Sequence, residues 1–183
     1  GRLRLADAER ALAREAPALE VPALGDPDSH GATAEKLYRE AIALYESEDA
    51  KDKARELEAR LGLAALELDR QNFGNAERAA EQARREAVSR GPQDLAVYAQ
   101  CLQVEIQVAQ PGAEPDPMVL SALGLSFHDT QDYRLKLRIR WVRALAARAA
   151  GEPTPDLPDL VQDAEERGYA RIAEEARALR PTD

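Results

Sequence analysis

Apolar residues along this chain recur at intervals of three and four, interrupted by short polar or proline–glycine segments, and that rhythm predicts helices throughout. Residues 3–16 form the first, with Leu5, Ala8 and Leu12 on one face and Pro17 at its end. Residues 17–30 hold Pro17, Pro22, Gly25 and Pro27, with Gly31 just after, and read as a flexible loop. Thr33 is the expected N-cap of a helix over 33–47, with Leu37, Tyr38, Ala41, Leu44 and Tyr45 facing the core. Further helices are expected over 53–70, 75–90 and 93–110, the last carrying Leu95, Tyr98, Ala99, Leu102, Ile106 and Val108. The run Pro111 to Pro117 breaks the chain before a short apolar helix over 118–127. Thr130 is the expected cap of a helix over 131–150 that stops at Gly151, and helices over 156–167 and 169–180 complete about nine.

The segment 61–83 adds a construction principle. An apolar helix runs into the polar break Asp69-Arg70-Gln71-Asn72, and a second helix starts at once with Ala76, Ala80 and Ala83 on one face. A face of small side chains lets two helix axes approach closely. The composition agrees, since 36 of 183 residues are Ala while aromatic residues make up only 4%. That favours an all-helical fold over a sandwich or barrel. Read at an offset of 42, Ala34, Glu35, Ala41, Ser47, Asp52 and Ala54 match Ala76, Glu77, Ala83, Ser89, Asp94 and Ala96, as a repeat unit would.

On these residues the chain resembles the tetratricopeptide repeat family. Phe73, Ala76, Ala80 and Ala83 fit its series of a turn aromatic, an Ala, an apolar or aromatic residue four later and an Ala three after that, and Leu63-Ala64 stand where the family has Leu-Gly. The period of about 42 is longer than the standard repeat, so the resemblance is to the long-period, divergent members, and it is best over 33–110. It implies a right-handed α-solenoid of stacked antiparallel helix pairs, residues 1–183 forming one such domain, with a concave groove that holds peptides or partner helices.

Charge sharpens the picture. The chain carries a formal −9, which disfavours nucleic acid and anionic membrane as general partners. Yet 128–150 holds six basic and two acidic residues, a local +4. Arg134, Lys136, Arg138, Arg140 and Arg143 are therefore candidate contacts for an acidic peptide or carboxylate, Arg138 first among them, because Arg offers a rigid fork to carboxylates. The competing reading pairs these cations with Asp and Glu of neighbouring helices. Leu135, Ile139, Val142 and Ala146 form one apolar face of this helix, and Leu137, Trp141 and Leu145 form another, so a helix packed on both sides is expected, with Trp141 in the core.

Catalytic signatures do not emerge. Cys101 is the single cysteine and reads as a small core residue. His30 and His128 belong to no Glu-x-x-His pair, and no phosphate-binding glycine loop is present. Asp26, Asp28, Ser29 and His30 read as a solvated turn, and the doublets Glu165-Glu166 and Glu174-Glu175 as solvent-facing partners of Arg167, Arg171 and Arg177. No cofactor, metal or catalytic residue is expected. The expectation is a non-catalytic protein- or peptide-binding scaffold, cytoplasmic and without membrane insertion, within a bacterial regulatory or signalling protein. The alternative is an assembly subunit that self-associates. A chain starting at Gly1 reads as a piece of a longer protein.

Overall fold

The computed structural model describes residues 27–47, 52–112, 114–154 and 156–179. Among them the chain is all-helical, with eight helices: α1 (Pro27–Ser47), α2 (Lys53–Asp69), α3 (Phe73–Arg90), α4 (Gln93–Ala109), α5 (Pro117–Asp129), α6 (Tyr133–Ala149), α7 (Leu157–Glu166) and α8 (Ala170–Ala178). The count is eight against the expected nine; the helix expected over 3–16 lies outside the described residues. No described helix is long and apolar enough to cross a membrane. Two compact units divide the chain, residues 1–99 and 100–183.

In the first unit α2 packs against both α1 and α3. α1 begins six residues earlier than expected. Pro27 opens it with a φ already suited to a helix, so residues 27–30 form its first turn rather than the end of a loop, and Thr33 lies inside it rather than capping it. Ala34, Tyr38 and Ala41 are buried, and Ala34 and Tyr38 cluster with Leu66. Leu44, expected in the core, is exposed. The small face of α3 is wholly inside: Ala76, Ala80 and Ala83 are 0% exposed. The positions matched at the 42-residue offset, Ala34 with Ala76 and Ala41 with Ala83, are thus buried in both helices.

The approach of α1 to α2 is set by Gly62. A Cβ there would stand 2.3 Å from Tyr38 Cε1, and Tyr38 is 1% exposed, so its ring has nowhere to go. An ion network runs alongside. Lys53 Nζ donates to Glu56 at 2.8 Å and pairs with Glu86 of α3 at 2.9 Å. Arg60 donates to Glu56 at 2.9 Å and to Glu46 of α1 at 2.6 Å. Glu56 is buried, which by itself would raise its pKa, but the hydrogen bonds from Lys53 and Arg60 outweigh burial and hold it below the ordinary value.

α2 ends where the polar break was expected. Asn72 N donates to Glu67 O at 2.9 Å and Gln71 N to Leu68 O at 2.9 Å, with Gln71 in the left-handed region at φ 61°. That is a Schellman closure built on a residue other than glycine. α6 and α7 close in the same way on Gly151 (φ 72°) and Gly168 (φ 76°). Gly91 differs. Its φ of −111° is ordinary; it is small because a Cβ would lie 2.8 Å from Ala87 Cα and from Leu57 Cδ1.

In the second unit α6 packs against α5, α7 and α8, and α7 against α8. Leu137, Ala144, Leu157, Leu160, Val161, Ala164, Ile172, Ala173 and Ala176 form its core, with Tyr133, Trp141, Tyr169 and Leu179 against them. Both predicted apolar faces of α6 are inside, through Leu135, Ile139 and Val142 on one and Leu137 on the other.

Gly62→Ala tests the close approach of α1 and α2. Alanine gains helix propensity of about 1 kcal/mol, but overpacking typically costs about 1–3 kcal/mol, and the buried ring leaves no route to relax. The expected outcome is a net loss of stability in urea unfolding.

Candidate functional site

The basic residues of α6 owe their positions to its N-terminus. The carboxylate of Asp132 accepts from Arg134 N at 2.8 Å and from Leu135 N at 3.3 Å, so Asp132 is the N-cap, in place of the expected Thr130. Thr130 instead ends α5, its N–H donating to Ser126 O at 3.0 Å, and its hydroxyl accepts from Asp132 N at 3.2 Å. A carboxylate wins the cap because it is charged and meets the positive end of the helix.

From that start the helix divides the five candidates. At about 100° per residue, Arg134 and Arg138 fall on one side of α6 and Lys136, Arg140 and Arg143 on the other. The two apolar faces separate them. They form two flanks rather than a single row.

Arg138 is the most enclosed. Its Nε donates to Glu105 Oε1 of α4 at 2.9 Å, its Nη2 donates to Glu105 Oε2, and its Nη1 reaches Glu175 Oε2 of α8 at 3.3 Å. The guanidinium also lies 4.5 Å from the centroid of the Trp141 ring. Its side chain is 18% exposed, and that of Glu105 is 9%. This fork-to-fork geometry fits the reading in which the arginines pair within the protein. Trp141 is half-buried against the core, as expected, and its indole Nε1 is buried without a partner among the described residues.

Arg140 is likewise engaged, its Nη1 donating to Asp163 Oδ2 of α7 at 2.7 Å. Arg167 approaches the same carboxylate at 3.6 Å and lies 3.7 Å over the Tyr133 ring. The Tyr133 hydroxyl, hydrogen-bonded to Asp163, is the main cause that lowers the Asp163 pKa; burial opposes it and Arg140 adds to it. The same bond raises the Tyr133 pKa.

The other three are placed differently. Lys136 Nζ lies 5.8 Å from the Phe127 ring centroid, while Arg134 and Arg143 are exposed. Among the described residues no carboxylate pairs with the side chains of these three.

Sequence reasoning missed Glu105 and Glu56. Glu105 is a carboxylate on an otherwise apolar helix face, one turn after the buried Cys101, and Glu56 is a buried carboxylate between Lys53 and Arg60 at helical spacing. A buried carboxylate calls for a cation, and that was the available signal. Cys101 is inside as expected, and burial pushes its thiol pKa up, so it is not poised for reactivity. Glu165 pairs with Arg177, and Glu175 with Arg171 and Arg138. Among the described residues no three His, Cys, Asp or Glu side chains gather as a cation site.

In comparisons with known proteins no family model, no curated protein and no solved structure matched the chain.

Removing Arg138 leaves Glu105 buried without its fork. Arg138→Met is expected to cost about 3 kcal/mol, read by chemical denaturation. Arg138→Met with Glu105→Leu and Glu175→Gln recovers most of it, because the buried charge goes too.

Asp163 gives a pH signature. Its folded-state pKa lies below the ordinary 3.8, so its contribution is fully present above that value and is lost as pH falls through the folded value. Asp163→Asn is expected to lower the thermal midpoint at pH 7. The gap to the wild type closes once the pH drops below the folded pKa.

Proposed function

We propose that this chain is a non-catalytic scaffold that binds a protein or peptide, built as a divergent, long-period tetratricopeptide-like α-solenoid within a bacterial regulatory or signalling protein. The observation that carries the reading is the repeated burial of small residues at matched positions: Ala34 and Ala41 in α1, Ala76 and Ala83 in α3. Helices that cannot bury their faces alone and meet through small side chains are the units from which repeat proteins are stacked. Such proteins act through surfaces rather than through a reaction centre.

The arginine hypothesis takes a narrower form. Arg138 and Arg140 hold carboxylates of the chain itself, so a partner would have to displace Glu105 or Asp163 to reach them. Arg134, Lys136 and Arg143 are the members of the set that offer charge outward for an acidic ligand. The assembly reading has one observation in its favour: Val88 of α3 is 61% exposed and Leu44 of α1 is 40% exposed, apolar area that a second copy could cover.

Affinity capture from the source organism's lysate separates these. Wild type is compared with Arg134→Glu/Arg143→Glu, a pair of exposed changes. A partner held by the wild type and weakened at least about tenfold in the double variant supports recognition through these flanks. Capture of the chain alone, with a mass that grows with concentration and falls back on Val88→Glu, supports assembly instead. Turnover of a small molecule by the isolated chain overturns both.

A further inference from the structure

We draw no further inference here: the strongest candidate, the exposed apolar face of α5 that carries Met118 and Leu125, has nothing in the structure to show what covers it.

Discussion

The fold depends on how near two helix axes can come. Among the described residues sixteen of the thirty-four buried apolar side chains are alanine, so the side chains alone do not fill the space between widely separated helices. The axes must close in until backbone meets small side chain, because an unfilled gap forfeits the contacts that hold a core together. Gly62 against Tyr38, and Gly91 against Leu57 and Ala87, are the extreme cases, where even one methyl has no room. The few large residues then act as wedges. Tyr38 fits where it does because the opposite position has no side chain at all.

Close approach has an electrostatic consequence. In a chain with 32% charged residues, helices that draw together bring their polar margins within hydrogen-bond reach. Some of those charges end up out of water. Glu56 and Glu105 are buried for this reason, and each is held by cations from its own or a neighbouring helix. Such pairs need not add net stability over apolar residues of the same shape. They do fix which helix lies beside which, since a shifted register would leave a carboxylate buried without its partner. The ion pairs at the margins, such as Arg39 with Glu35 at 68% and 23% exposure, contribute little by comparison.

These two effects account for what could be read in the residues. Helix positions from α2 onward followed from periodicity to within a few residues, because the apolar spacing and the glycine and proline punctuation agree. The buried small face of α3 was legible because alanines at 76, 80 and 83 have no other reason to recur. The start of α1 was not, since Pro27 reads equally as loop or as first helical residue, and only its tertiary setting decides. Leu44 was misplaced because the apolar arc of α1 is wider than the surface available to cover it. Thr130 and Asp132 compete for one cap, and spacing alone does not weigh a hydroxyl against a carboxylate. The α5 surface was visible as an apolar run, but not as an exposed one. Periodicity reports which residues share a face and is silent on whether anything packs against it.

The basic segment shows the same limit for charge. Five cations within ten residues look like one feature along the chain, but a helix turns them onto two flanks separated by buried apolar faces. Their availability then depends on what each flank meets. Arg138, the residue whose geometry best suits a carboxylate ligand, is for that reason the one whose ligand is already supplied from within, by Glu105 and Glu175. Arginine favours bidentate, enclosed pairing, while a lysine is a point charge that tolerates solvent. A search for contact residues in an acidic, arginine-rich helical chain therefore does better to subtract the arginines that find internal forks and to weigh what remains beside uncovered apolar area. Of the five candidates that subtraction leaves Arg134, Lys136 and Arg143, and among these three only Lys136 has an aromatic neighbour, Phe127 of α5.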